Sequence, residues 1–187
     1  MNTLLDFAPG SPGIEARWTS SAKSGVGTAR SVNSPVWFTL SHGVLNEVYY
    51  PRVDSACIRD LGLLIVADDG YMSEEKRDCT SVTTHIEDGL PAFRVLNTSR
   101  DGRYRVEKTI ISDPRRPCVL QRVTFTPLQG SMSDYRVYAL LAPHLVNAGM
   151  DNSAWIGEQR DVSLLFASGR SRYLALGCSL ILVARRW

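Results

Sequence analysis

Helical periodicity is nearly absent from this chain of 187 residues. No long stretch carries apolar residues at the spacing of an amphipathic helix, which argues against a helical bundle. Strands do not alternate with helices either, so a doubly wound α/β fold is not expected. No apolar run is long enough for a membrane-spanning helix. The opening MNTLLDFAPGSPG lacks the basic and long apolar segments of a secretory leader. A cytoplasmic protein with no membrane partner is the expectation. Charge of one sign is also missing: 21 basic and 19 acidic residues leave a net charge of +2. That balance does not fit a nucleic-acid binder, and the short runs DPRRP and ARRW read as solvated.

Clustered metal ligands are lacking too. The three histidines are scattered, and neither H-E-x-x-H nor an EF-hand loop occurs. GMDNSAW (149–155) brings oxygen ligands close together, but Asp-Asn-Ser is most simply a turn. No cofactor is expected, with calcium dependence left open. Four cysteines, Cys57, Cys79, Cys118 and Cys178, stand far apart without a C-x-x-C pair. This disfavours a zinc ribbon or redox dithiol, and buried free thiols are expected. KSGVGT (23–28) lacks the order of a phosphate loop and reads as a flexible turn.

What is present is strand pattern. Hydrophobic residues make up 44% and charged residues 21%, ordinary for a soluble domain with a core. PVWFTLS (35–41), GVLNEVYY (43–50), DLGLLIVADDG (60–70) and CTSVTTHIEDG (79–89) are rich in β-branched and aromatic residues and separated by turn signals. AFRVLNTS (92–99) and YRVEKTIIS (104–112) flank RDGR, a strong hairpin signal. In the second of these, Tyr104, Val106, Lys108 and Ile110 share one face. CVLQRVTFTPL (118–128), DYRVYALLAPHL (134–145), SAWIGEQR (153–160), DVSLLFASG (161–169) and RYLALGCSLILVA (172–184) continue the series. About ten strands at this spacing predict an all-β, antiparallel sandwich over residues 35–187. Residues 1–34, rich in Gly, Ser and Pro, are expected to form an irregular lead-in to it.

The densest stretch is LSHGVLNEVYYPRVD (40–54). Its polar and aromatic groups His42, Asn46, Glu47, Tyr49, Tyr50, Arg52 and Asp54 are the candidate site residues. A His42–Glu47 acid–base pair is disfavoured, because an offset of five residues along a strand puts side chains on opposite faces. A glycosidase needs two carboxylates across a bond. Asp54, Asp60, Asp68, Asp69, Glu74 and Glu75 are available, but none is singled out. Asp68-Asp69 read as turn formers, and Glu74-Glu75-Lys76-Arg77 as a solvated charge cluster. Among the aromatics Trp18, Trp37, Tyr49, Tyr50 and Trp155, Trp37 is expected in the core. One of the adjacent tyrosines should point inward and one outward.

Four stretches carry a resemblance: PGIEARWTSSAKSGVGTA (12–29), SPVWFTLSHGVLNEVYYPRVDSACIRDLGLLIVADDGYMSEEKRD (34–78), YRVEKTIISDPRRPCVLQRVTF (104–125) and YALLAPHLVNAGMDNSAW (138–155). Together they resemble the N-terminal domain of bacterial glucoamylases and glucodextranases, inverting enzymes of glycoside hydrolase family 15. The resemblance runs to about residue 175 and implies a large antiparallel super-β-sandwich. It implies a following linker and a catalytic (α/α)6 barrel whose two glutamates release glucose from the non-reducing ends of α-glucans. Nothing here matches that barrel, so no catalytic residue carries over, and α-glucan is a partner only through it.

The text after YLALGCS departs from the family, and a truncated, C-terminally incomplete sandwich is expected. Such a fragment would expose sheet edges and aggregate. The resemblance makes residues 40–54 a loop facing the barrel near its substrate entrance. An equally open reading is that they order a tight corner within the domain. The alternative function is a stand-alone carbohydrate-binding or interaction sandwich.

Overall fold

The computed structural model describes residues 19–179 and the short strand β1 (Asp6–Phe7). Trp18 and the apolar end of the last run, residues 180–184, lie outside the described residues. The remaining strands are β2 (Gly25–Thr28), β3 (Trp37–Ser41), β4 (Val44–Tyr49), β5 (Ala56–Ala67), β6 (Met72–Glu74), β7 (Cys79–His85), β8 (Phe93–Ser99), β9 (Tyr104–Ser112), β10 (Val119–Pro127), β11 (Tyr135–Pro143), β12 (Ser153–Gln159), β13 (Val162–Gly169) and β14 (Arg172–Leu176). One helical turn, α1 (Glu75–Asp78), joins β6 to β7. The all-β expectation holds.

Three antiparallel sheets form. β11-β5-β4-β3-β2 make the largest, with β6 added alongside β5. β10-β9-β8-β7 make the second, and β1-β12-β13-β14 the third. The first two face each other as a sandwich. Phe38, Leu40, Leu45, Ile58 and Leu61 of the large sheet meet Phe93, Val95 and Ile110 of the second. Leu63 and Ile65 meet Cys79, Tyr104 and Val106 further along. The period-2 pattern in β9 is obeyed without exception: Tyr104, Val106, Lys108 and Ile110 are all fully buried. The third sheet closes one side, with Leu174 and Leu176 against the first cluster and Ala167 packed with Cys57 and Leu145.

Three expectations need correcting. The lead-in is not irregular throughout, because Gly25–Thr28 pairs with β3 as an edge strand. Its glycines are there for space. A Cβ at Gly25 would come within 2.8 Å of the Phe93 ring, and one at Gly27 would overlap the ring of Phe38. What looks like turn composition is a thin strand laid over two aromatic rings. Trp37 is not core: Phe38 and Leu40 take the inward positions of β3, so Trp37 points outward and is 39% exposed. The four cysteines are free, but only Cys57 and Cys79 are buried; Cys178 is exposed.

Candidate docking face on the large sheet

The β3–β4 connection is a two-residue turn, His42-Gly43, with both residues at positive φ. This is the backbone of a tight hairpin turn. Gly43 is obligatory, since a Cβ there would overlap Asn97 Oδ1 and Ser81 Oγ. His42 is exposed, and among the described residues its ring bonds only Ser41, Nδ1 lying 2.7 Å from Oγ.

Beyond the turn, β4 carries a bulge. Leu45 pairs with Leu40 and Val48 with Phe38. Asn46 and Glu47 thus stand opposite the single residue Thr39, whose hydroxyl accepts the Glu47 N–H at 3.1 Å. Because of that extra residue, Leu45 and Val48 both reach the core while Asn46 and Glu47 leave it.

The two bulge residues anchor a polar cluster. Glu47 Oε2 accepts from Lys23 Nζ at 2.7 Å and from the Tyr49 hydroxyl at 2.7 Å. Lys23 Nζ also bonds Ser20 O at 2.7 Å and the Asn46 side-chain oxygen. Asn46, fully buried, donates to Asp60 Oδ1 at 3.0 Å, to Arg59 O and to the Thr19 hydroxyl. Asp60 is held in turn by Arg59 Nε at 2.8 Å and Lys76 Nζ at 3.0 Å. Burial, then the hydrogen bond and charge of Glu47, push the Tyr49 phenol well above the usual tyrosine range. Burial, then the Arg59 charge, push His144 below the ordinary histidine value.

The rest of the stretch turns away through the cis Tyr50–Pro51 peptide. Arg52 grips Asp54 with two bonds, Nε–Oδ1 at 3.0 Å and Nη2–Oδ2 at 2.7 Å, on an exposed turn. Asn147 seals this turn, accepting from Ala56 N and donating to Asp54 O, both at 2.8 Å. Tyr50 packs on the Cys57–Leu145–Ala167 cluster.

Of the candidate residues, Asn46 and Glu47 therefore converge on Lys23, and Tyr49 joins them through Glu47. Tyr50, Arg52 and Asp54 form a neighbouring corner, and His42 stands at the opposite end of β4. His42 and Glu47 have separate partners. The turn and the bulge between them, not strand alternation, set the two apart. Each carboxylate of the cluster is bound to a lysine, so the arrangement positions structure; it does not resemble a glycosidase pair.

The second half of the construction is buried. Between Leu45–Leu61 and Leu64–Glu74 the strand β5 has no strand partner on that side among the described residues, and Glu75 fills the gap. Its Oε2 accepts the Leu63 N–H at 3.1 Å. From the second sheet, Lys108 Nζ reaches Glu75 Oε2 at 2.5 Å and Gly43 O at 3.2 Å. Asn97 Nδ2 reaches Glu75 Oε1 at 2.5 Å and Gly43 O at 2.9 Å. Glu75 and Lys108 are both fully buried, which overturns the reading of residues 74–77 as a solvated charge cluster. The outermost residue of that run, Arg77, does remain exposed and pairs with Glu74. The missed signal lay in β9, where a lysine on an otherwise apolar face requires a buried acidic partner.

The sequence profile of glucodextranase domain N matches residues 8–186, so the departure from the family expected after YLALGCS is not found: the match runs on through those residues. The chain belongs to that family. It is 34% identical over 169 residues to a glucoamylase of Clostridium sp. (strain G0005), covering 90% of this chain and 24% of the relative. Among solved structures it matches a bacterial glucoamylase complexed with acarbose, with a TM-score of 0.88 and 33% identity over 92% of this chain and 26% of the other. This N domain thus spans about a quarter of the length of the glucoamylases it matches, and its β-sandwich is the fold they share.

Proposed function

We propose that this chain is the non-catalytic N-terminal sandwich of a glucoamylase- or glucodextranase-like exo-acting α-glucan hydrolase. It supports and docks the catalytic barrel, which releases glucose from non-reducing ends. The observation that carries the reading is the extent of the match: nearly the whole chain aligns with a quarter of a glucoamylase. None of the described carboxylate clusters offers the free acid–base pair such an enzyme needs.

The docking surface on this reading is the outer face of the large sheet near Glu47. Three features favour it. Trp37 and Tyr49 are register partners on that face, and Trp37 keeps a large exposed area. The charged groups beside them are fixed by the bulge and by Lys23, so little side-chain entropy remains to be lost on association. The exposed Arg52–Asp54 fork offers a polar rim.

The test replaces the matching segment of the Clostridium glucoamylase by this chain added in trans. Restored glucose release, with a complex seen by sedimentation, is the expected result. No association at any concentration overturns the docking role.

A further inference from the structure

A separate hollow of about 290 Å³ opens where the β5–β6 turn meets the β8–β9 turn, lined by Tyr71, Met72, Ser73, Asp78, Arg100 and Asp101. It shares no residue with the Glu47 cluster. Its volume falls just short of the roughly 300–1,000 Å³ of small-molecule sites, a size for a short saccharide end and not for a nucleotide.

The walls are fixed before any ligand arrives. The Arg103 guanidinium lies 4.3 Å from the centre of the Tyr71 ring and is itself held by Asp69 Oδ2 at 2.8 Å. Tyr71 packs against the cluster that holds Cys79 and Tyr104, and Ser73 Oγ lies 2.7 Å from the Tyr104 hydroxyl. Beside the ring, Met72 is 70% exposed, an uncovered thioether on the rim.

The charges are arranged unlike a structural ion pair. Arg100 N donates to Asp78 O at 2.9 Å, so the two side chains leave the backbone side by side and line the same hollow. Yet no salt bridge joins them, and among the described residues the Asp78 carboxylate bonds only the Glu74 N–H, through Oδ2, at 2.7 Å. A guanidinium that donates and a carboxylate that accepts, both exposed and without an ion-pair partner among the described residues, stand next to a tyrosine and a methionine. An anion would be repelled by Asp78 and Asp101, and a cation by Arg100 and Arg103. A neutral polyol fits both: its hydroxyls donate to the carboxylate and accept from the guanidinium, while its C–H face lies on the apolar wall.

We infer that the hollow between Tyr71, Asp78 and Arg100 is a saccharide-binding site. Its ligand is the end of an α-glucan chain, an assignment of ligand that rests on the glucoamylase reading above. The site would hold substrate near the enzyme and has no catalytic part.

The test is saturation-transfer NMR and calorimetry of the full chain with maltotetraose, isomaltotetraose and cellotetraose. Binding of the first or second is expected. Arg100→Ala should weaken it about tenfold to a hundredfold, the loss of a charged hydrogen bond, and Met72→Ala should weaken it less. Arg122→Ala, on the exposed side of β10, should leave it unchanged. No transfer to any saccharide, or equal binding by Arg100→Ala, overturns the site and leaves the docking role untouched. Preference for cellotetraose overturns the α-glucan assignment and counts against the glucoamylase reading itself.

Discussion

Lys108 Nζ lies 2.5 Å from Glu75 Oε2 with neither side chain exposed, and the same ammonium reaches the carbonyl of Gly43 in the hairpin turn. One ion pair thus ties the second sheet to the gap in the first and to the corner from which the candidate docking strand starts. Burial pushes the lysine below its usual range, and the Glu75 carboxylate opposes this without cancelling it.

Removing one partner leaves the other charge buried and uncompensated. Lys108→Met and Glu75→Leu should each lower stability by about 3–5 kcal/mol. The double replacement should recover a large part of that loss, because an apolar pair needs no solvation. Urea unfolding of the four proteins in a double-mutant cycle reads this directly; additive losses would contradict it.

Gly27→Val drives a side chain into the Phe38 ring. The expected cost is about 1–3 kcal/mol, with the larger effect on exchange protection of β2 and β3. An unchanged denaturation midpoint would mean that β2 does not lie on the ring.

At the docking face the prediction runs the other way. Lys23 and Glu47 are partly exposed, so Glu47→Gln should cost stability no more than about 1 kcal/mol. Tyr49→Phe removes one hydrogen bond and should cost a similar amount. Both should weaken association with the catalytic region by clearly more than they weaken folding. Parallel melting and sedimentation experiments separate the two effects.

Alkaline pH tests the tyrosines. Burial, with Asp101 adding to it, pushes Tyr71 up to about 12. Burial likewise raises Tyr49 and Tyr104. A group raised in the folded state contributes stability that is complete below its unfolded value, about 10 for tyrosine. That stability is lost as pH climbs through the folded value. Stability should fall between those limits, with a shallower slope in Tyr71→Phe, as followed by denaturation together with tyrosinate absorbance.

Thiol reactivity gives a further check. Cys178 is exposed and should react with a thiol reagent in the native protein. Cys57 and Cys79, buried and with thiol values raised by that burial, should react only on unfolding. Rapid labelling of either buried thiol would contradict the packing described.

Most of the sandwich was legible because its strands alternate cleanly. The YRVEKTIIS pattern gave β9 with its residue bounds intact, and the RDGR turn gave its hairpin with β8 to within one residue. Legibility failed where small or charged residues serve geometry. Gly25 and Gly27 looked like a turn because their role is set by rings far along the chain. Glu75 looked solvated because its partner lies in another sheet. Within the candidate stretch, Asn46, Glu47 and Tyr49 were singled out by density alone. The bulge that groups them was hidden, since it depends on which residues of β3 face them, and Lys23 carried no local signal.

The most direct measurement is glucose release from maltooligosaccharides and isomaltooligosaccharides by three samples: the chain alone, a glucoamylase lacking its matching segment, and the two mixed. The account predicts no release by the chain, impaired release by the shortened enzyme, and recovery on mixing that Glu47→Gln weakens. Release by the chain alone would contradict it, and would place a catalytic acid among carboxylates here assigned to structure.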